Sequence, residues 1–597
     1  MHHAHRLFDC LQHQEELGSV DKAMVAKVNG AWKPYSTCEI KDIVNRLSAG
    51  LLAFGLGSGD MTVEGRDKVA ILSKNRPEWI FLDLAVQQTG AILVPIYPTA
   101  HVNDIAFILR DANVKMVVVN DEELFLKLQP VLPDCPSVQA VFSFEAVAEA
   151  RHWTDLLSAG TEADFARIPA QMEKINTEDV FTLIYTSGTT GTPKGVMLTH
   201  HNVLSNVKAT LPYFPIGKNT RVISFLPLNH IFERMVTYLY LFAGASVHYA
   251  ESLDTLGENI KEVRPEMFTT VPRLLEKVYE KIMAKGNEQK GIKKKLFYWA
   301  VKLGEQYDID KPLGTWYKMQ LAVANKLVFS KWREALGDSL KCIVTGAAAC
   351  QVKLIRIFTA GGVPILEGYG LTETSPVICV NKLDKNEWKF GTVGPVIDGV
   401  TVKIAEDGEI LCQGPNVMKG YYKRPDLTEE TIIDGWLHTG DIGTLINGKF
   451  LKITDRKKEI FKTSGGKYVA PQPIENKLAE SPLIEQVMVV GAGRKYAAAL
   501  VVPAFNVLRE KMGNALAGAD NAGIAASEKV QELLHSEISR MNQNFSQVEQ
   551  IKRFELLPAE WTVEGGELTP TLKLKRKVIM EKYDAVVEKL YPSALQD

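Results

Sequence analysis

Hydrophobic positions along this chain follow two rhythms in turn. Residues 36–60 place Ile40, Ile43, Val44, Leu47, Leu51 and Leu52 at helical spacing, behind Ser36 and Thr37, either of which can cap a first turn. Residues 69–72 then form a short, wholly apolar run of the kind a buried strand needs. A helical pattern over 79–88, a strand over 91–95, a helix over 104–112 and a strand over 114–119 continue the series. Alternating strands and helices predict an α/β fold with layers built on largely parallel sheets. The stretch 274–340 is different: lysine-rich and helical, with Lys290, Lys293, Lys294 and Lys295 followed by Leu296, Phe297, Trp299, Ala300 and Leu303. A basic run leading into an aromatic face suits a membrane surface, and it equally suits an ordinary surface helix pair. Near residue 450 the pattern shifts to short strands. One is expected at 450–454, and 487–490 with 497–502 read as a hairpin around 491–496. The expected architecture is a large, multi-layered N-terminal α/β domain over 1–455 and a small α+β C-terminal domain over 456–597.

Bulk properties narrow the class. A chain of 597 residues exceeds what one core supports, so at least two domains are expected. Apolar residues make up 46% and charged residues 23%, ordinary for a globular protein. A net charge of −2 gives no general attraction to nucleic acid or to anionic lipid. No apolar run reaches the length of about 18 residues that a membrane span requires. The cysteines (10, 38, 135, 342, 350, 379 and 412) are odd in number and never spaced as CxxC. That usage suits reduced thiols in a cytoplasmic compartment, not a disulfide framework or a zinc site.

The richest chemistry lies in Tyr185-Thr186-Ser187-Gly188-Thr189-Thr190-Gly191-Thr192-Pro193-Lys194-Gly195, between the apolar runs 181–184 and 196–198. The hydroxyls of Thr186, Ser187, Thr189 and Thr190 can donate to phosphate oxygens, and Gly188, Gly191 and Gly195 let backbone N–H groups approach a polyphosphate. Lys194 adds a charge and Pro193 stiffens the loop. The common P-loop needs Gly-Lys followed by Ser or Thr; here Lys194 sits between Pro193 and Gly195.

This loop resembles the phosphate-binding signature of the adenylate-forming enzymes, the superfamily of acyl-CoA synthetases, peptide-synthetase adenylation domains and firefly luciferase. Further motifs follow in that superfamily's order. Glu367-Gly368-Tyr369-Gly370-Leu371-Thr372-Glu373 resembles the segment in which Tyr369 would stack on adenine beside Gly370, Thr372 would bind the α-phosphate and Glu373 would hold Mg²⁺ together with Thr186. Asp434-Gly435-Trp436-Leu437-His438-Thr439-Gly440-Asp441 resembles the ribose-binding motif, with Asp441 accepting from both ribose hydroxyls. Thr345-Gly346-Ala347 resembles the adenine-side wall, where relatives often carry Gly-Gly at 346–347. Leu226-Pro227-Leu228-Asn229-His230 resembles the motif that sets a histidine beside the substrate carboxylate. Asp455-Arg456-Lys457-Lys458 resembles the interdomain hinge, with Arg456 reaching ribose or phosphate and Lys458 as the pivot of a mobile lid. Gly465 and Gly466 then correspond to the loop near the coenzyme A arm in a second conformation. The late catalytic lysine falls on Lys573, or alternatively on Lys575; Leu572 replaces the glycine that usually precedes it.

The resemblance is closest to the AMP-forming long-chain fatty acyl-CoA synthetases, on the Glu-Gly-Tyr-Gly-Leu-Thr-Glu form, the Asp-Gly-Trp-Leu-His-Thr-Gly-Asp form and the helical insert at 274–340. It implies ligation of a long-chain fatty acid to coenzyme A through an acyl-AMP, using ATP and Mg²⁺, with Lys573, Glu373, Thr186 and His230 as the catalytic set. Residues 225–275 are expected to line part of an acyl channel. The implied partners are fatty acid, ATP and coenzyme A, without nucleic acid; oligomeric state and contact with the inner face of a membrane stay open. Alternatives are an acyl-AMP ligase serving a carrier protein, a ligase for shorter acids, and a non-catalytic relative. The presence of Lys573, Glu373 and Asp441 speaks against the last of these.

Overall fold

The computed structural model describes residues 4–57, 59–187, 193–569 and 572–591. Helix Thr37–Ala53 starts where its sequence can satisfy free N–H groups. Ser36 accepts from the Glu39 N–H, and the Glu39 carboxylate accepts from the Ser36 N–H at 2.7 Å, a reciprocal capping box. The strands Lys68–Leu72, Ile92–Pro95 and Met116–Val119 are buried throughout and pair in parallel, which is why 69–72, 92–95 and 116–119 read as unbroken apolar runs.

Two eight-stranded sheets dominate the N-terminal part. One runs Gly420–Tyr421, Pro193–Thr199, Val180–Ser187, Ile92–Pro95, Lys68–Leu72, Met116–Val119, Ala140–Ser143, Arg151–His152. The other runs Val377–Val380, Ile365–Gly370, Cys342–Thr345, Met267–Thr270, Arg221–Ser224, Ser246–Tyr249, Met24–Val28, Ala31–Tyr35. A buried charge pair stitches them. On helix Ile231–Ala243, Arg234 Nε donates to Asp83 of helix Pro77–Gln88 at 3.0 Å and its Nη1 to Thr182 of the Val180–Ser187 strand at 2.8 Å. Both charges are fully buried, so removing either partner alone strands the other at a cost of about 3–5 kcal/mol.

A third sheet centres on Trp436–Ile446, flanked by Glu409–Gln413 and Phe450–Arg456. Beyond it lies a separate apolar core from Val469 to Leu590, built on Ile484–Val490, Ala498–Pro503 and Arg553–Leu556. The first two of these strands form the expected antiparallel hairpin. This C-terminal part docks on the N-terminal part through the ion pair of Arg273 with Glu485, and through Gln351 Nε2 donating to the Ala479 carbonyl at 3.2 Å.

One expectation is corrected. Phe297, Ala300 and Leu303 do not form an outward aromatic face: they are buried in the core shared by helices Gly291–Glu305 and Val352–Ala360. Helical spacing alone does not say which apolar side points inward.

Candidate active site

A cavity of 2330 Å³ lies where the two large sheets, the third sheet and the C-terminal part meet. The phosphate-loop candidate is the connection of the Val180–Ser187/Pro193–Thr199 hairpin, whose register pairs Thr186 with Lys194 and Ser187 with Pro193. Gly188, Thr189 and Thr190 lie outside the described residues. Thr186 and Lys194 line the cavity. The Lys194 ammonium lies 4.3 Å from the Tyr421 ring centroid, and burial pushes its pKa down against the pull of Glu373.

The Ile365–Gly370 strand delivers Tyr369 and Gly370 to the cavity, and a tight turn, Thr372–Thr374, follows. Gly370 is dictated by close approach: a Cβ there would sit 1.7 Å from the Pro376 carbonyl oxygen. The turn presents Thr372 and Glu373 to the cavity. The Tyr421 hydroxyl donates to Glu373 Oε1 at 2.9 Å, and Oε2 carries no hydrogen bond among the described residues.

Asp441 and Arg456 are register partners on adjacent antiparallel strands, so their side chains share one face. Arg456 Nε stands 3.2 Å from Asp441 Oδ1, and the Tyr369 hydroxyl donates to Oδ2 at 2.7 Å. Burial raises the Asp441 pKa, and Arg456 with Tyr369 opposes the rise. Glu409 braces this strand. It accepts from the Gly440 N–H at 2.9 Å and from Lys457 Nζ at 2.8 Å, and lies 3.1 Å from His438 Nδ1.

His230 caps helix Ile231–Ala243, its Nδ1 accepting from the Phe232 N–H at 3.1 Å. Burial, with the Lys573 charge adding to it, pushes its pKa down to about 4. The ring is therefore neutral at pH 7, and with Nδ1 accepting, Nε2 carries the proton as a donor at the cavity wall.

Lys573 reaches the same cavity from the C-terminal part. Its turn is held by the Lys573 N–H donating to Thr569 Oγ1 at 3.0 Å and the Thr569 N–H donating to the Lys573 carbonyl at 2.8 Å. Burial pushes the Lys573 pKa down to about 8 and Arg456 adds to this, while Asp441, Glu459 and Glu373 pull the other way. Lys575 also lines the cavity, at the start of helix Arg576–Lys582.

Gly346, Ala347 and Lys458 line the cavity too. Gly465 and Gly466 are not brought to it. They close an exposed turn between Phe461–Lys462 and Tyr468–Val469, tied to the C-terminal part by the Ser464 N–H donating to the Arg494 carbonyl at 2.8 Å.

The acyl-channel expectation over 225–275 meets Phe232, Met235, Val236, Leu239 and Met267 on the wall. Thr210, Phe214, Val344, Val377 and Val380 add to the wall from outside that range. Sequence reasoning missed these, and also missed Tyr421 and Glu409. Nothing next to Gly420-Tyr421 or Asp407-Gly408-Glu409 marks them, because their partners lie far away in sequence.

Residues 12–422 match the AMP-binding enzyme family and residues 458–594 match the AMP-binding enzyme C-terminal domain. The chain belongs to the AMP-binding enzyme family. Its relatives include the long-chain-fatty-acid–CoA ligase FadD15 of Mycobacterium bovis, 33% identical over 94% of this chain and 93% of the relative. Long chain acyl-CoA synthetase 3 of Arabidopsis thaliana is 31% identical over 94% of this chain and 87% of its own. Long-chain-fatty-acid–CoA ligase 5 of Mus musculus is 31% identical over 95% and 85%. Among solved structures, a Mycobacterium tuberculosis fatty acyl CoA synthetase superposes with a TM-score of 0.62 at 21% identity, covering 98% of this chain and 99% of that one. The o-succinylbenzoate coenzyme A synthetase MenE of Bacillus subtilis, in complex with ATP and magnesium ion, gives 0.68 at 20% identity over 95% and 98%. These two share the fold of this AMP-binding enzyme: a large N-terminal α/β part and a smaller C-terminal domain.

Proposed function

We propose that this enzyme ligates long-chain fatty acids to coenzyme A in two steps, with an acyl-AMP between them. The observation that supports this most is a convergence. Lys573, from the C-terminal part, meets Tyr369, Asp441 and Arg456 in one cavity whose wall also carries Met235, Val236, Met267, Val377 and Val380. The cation-rich polar lining fits a nucleotide triphosphate, and the apolar lining fits an alkyl chain.

In the first step a carboxylate oxygen attacks the α-phosphorus of ATP. An O–P bond forms, the bond to the β-phosphate oxygen breaks, and pyrophosphate leaves. The Lys573 ammonium neutralises charge where carboxylate and α-phosphate meet, Thr372 donates to the α-phosphate, and the His230 Nε2–H holds the carboxylate. Asp441 orients the ribose: each carboxylate oxygen has spare lone pairs beside its bond to Tyr369 or Arg456. Magnesium would be held by Glu373 with Thr186; Tyr421 engages only one Glu373 oxygen, and a single carboxylate suits an ion that completes its shell with phosphate oxygens and water. When bound, it would neutralise the departing pyrophosphate. In the second step the coenzyme A thiolate attacks the acyl carbonyl and AMP leaves. We assign the domain boundary to 455/456 and the pivot to Lys458. A rotation there would withdraw Lys573 and bring Gly465 and Gly466 toward the thiol arm.

The test is product analysis with ATP, Mg²⁺ and palmitate, with and without coenzyme A. Equal AMP and palmitoyl-CoA, formed only when coenzyme A is present, is the expected result. Pyrophosphate release without a thioester would replace the reading by the carrier-protein ligase, and no turnover with any fatty acid would end it.

A further inference from the structure

Helix Thr315–Ala324 continues through a π turn, Asn325–Phe329, into Ser330–Ala335. Its inward side is apolar: Ala324, Val328, Phe329 and Trp332 belong to a buried core, with Tyr317 and Leu321 packed against it. Its outward side is apolar as well. Trp316, Met319, Val323 and Leu327 follow helical spacing and are 71%, 58%, 48% and 53% exposed. A helix with apolar stripes on two sides is normally covered on both. Here no described residue covers the outer stripe, and scattered exposure does not describe four residues in one row.

The rod cannot roll to hide that row. At the π turn, Asn325 Nδ2 donates to the Leu321 carbonyl at 3.1 Å and to the Ala360 carbonyl at 3.0 Å, and Arg333 Nη1 donates to Asn325 Oδ1 at 2.9 Å and to the Gly361 carbonyl at 2.6 Å.

The surroundings are basic. Residues 290–331 hold nine lysines and three carboxylates. All three carboxylates are already paired: Glu305 with Lys353 at 3.2 Å, Asp308 with Arg356 at 3.0 Å, and Asp310 with Lys389. Lys318 and Lys326, exposed on the same rod as the stripe, have no ion-pair partner among the described residues. The whole chain is slightly acidic, at −2, so the excess is local.

We propose that this stripe docks the protein on an anionic lipid bilayer. Trp316, Met319, Val323 and Leu327 enter the boundary between headgroups and acyl chains, and Lys318 and Lys326 pair with lipid phosphates. A second copy of the chain fits less well. A two-fold dimer sets the patch against itself, so the lysines would face lysines with no free carboxylate to meet them. The inference rests on the shape and charge of this surface and does not need the ligase reading.

Vesicle co-sedimentation of the purified full chain tests it, with phosphatidylcholine alone and with added phosphatidylglycerol. The expected result is binding to the phosphatidylglycerol vesicles that weakens as salt is added. Two variants, Trp316→Ser with Leu327→Ser and Lys318→Glu with Lys326→Glu, should each lower the partition coefficient by roughly tenfold or more. Their thermal unfolding should match the parent, because all four side chains are exposed. Absence of binding to phosphatidylglycerol vesicles, or variants that bind like the parent, would overturn the proposal. So would a dimer, seen by light scattering, that the first variant dissociates while vesicle binding persists.

Discussion

Replacing Lys573 by alanine removes the charge that the C-terminal part is proposed to bring to the transition state. A charge aimed at a developing anion in a water-poor site typically supplies a factor of about 10²–10³, or roughly 3–4 kcal/mol. The structure places this charge on the wall of the shared cavity. Burial pushes the Lys573 pKa down to about 8, and Arg456 adds to that. At pH 7 about nine in ten enzyme molecules would then carry the ammonium form. The sign of the pH dependence follows. The charged form acts, so kcat/KM for adenylation should hold below about pH 8 and fall above it, tenfold per pH unit once the lysine is mostly neutral. Pyrophosphate release without coenzyme A isolates this half-reaction. Thioester formation from a preformed acyl adenylate isolates the other, and Lys573→Ala should leave it within about threefold of the parent, since the charge is assigned to the first step alone. Lys575→Ala is the control, because Lys575 lines the same cavity at the head of the next helix. A Lys573→Ala enzyme that releases pyrophosphate within threefold of the parent, or a Lys575→Ala enzyme that takes the loss instead, would refute the assignment.

Tyr421→Phe removes the hydroxyl held 2.9 Å from Glu373, a bond to a charged group worth about 1.5–3 kcal/mol, so the Mg²⁺ concentration at half-maximal pyrophosphate release should rise about tenfold; an unchanged Mg²⁺ titration would refute the link. Glu233 is fully buried, and burial raises its pKa from 4.5 to about 7 against the opposing Thr269 hydroxyl. The folded chain therefore binds the extra proton between those values, and its stability falls as pH rises through that window by about 3 kcal/mol. Denaturant titrations of Glu233→Gln should lack this fall, and parallel pH profiles for parent and variant would show the reasoning wrong. Gly370→Ala drives a Cβ into the Pro376 carbonyl and should lower the unfolding temperature by several degrees while abolishing adenylation; a variant with normal Tm and activity would mean that the turn relaxes at little cost.

What could be read from the sequence was what local chemistry marks. Parallel strands buried on both faces need unbroken apolar runs, so 69–72 and 91–95 stood out. Ser36 and Thr37 marked a helix start as possible caps; that Ser36 is the cap, with Glu39 closing the box, came from the structure. The motif residues Thr186, Tyr369, Thr372, Glu373, Asp441, Arg456 and Lys573 meet in one cavity, although they span most of the chain. The illegible parts depend on distant neighbours. Tyr421 acquires its relation to Glu373 because Gly420–Tyr421 adds an edge strand beside Pro193–Thr199. In the 290–335 helices both sides are apolar, so periodicity could not choose between burying Phe297 and exposing Trp316.

The two departures from glycine carry a finer lesson. Ala347 and Leu572 both adopt left-handed backbone, with φ of +70° and +61°, where a side chain costs about 1–2 kcal/mol. The family resemblance implies glycine at both positions; the structure shows what offsets the strain at Leu572. The Leu572 side chain packs against the C-terminal core, and its N–H donates to the Thr569 carbonyl at 2.8 Å, closing the turn that carries Lys573. Burying part of a leucine is worth a comparable amount to the backbone strain. Glycine would relieve the strain and lose that anchor. Leucine at this position thus holds the turn to the C-terminal core, and the orientation of Lys573 becomes a property of the whole C-terminal part rather than of a loose loop.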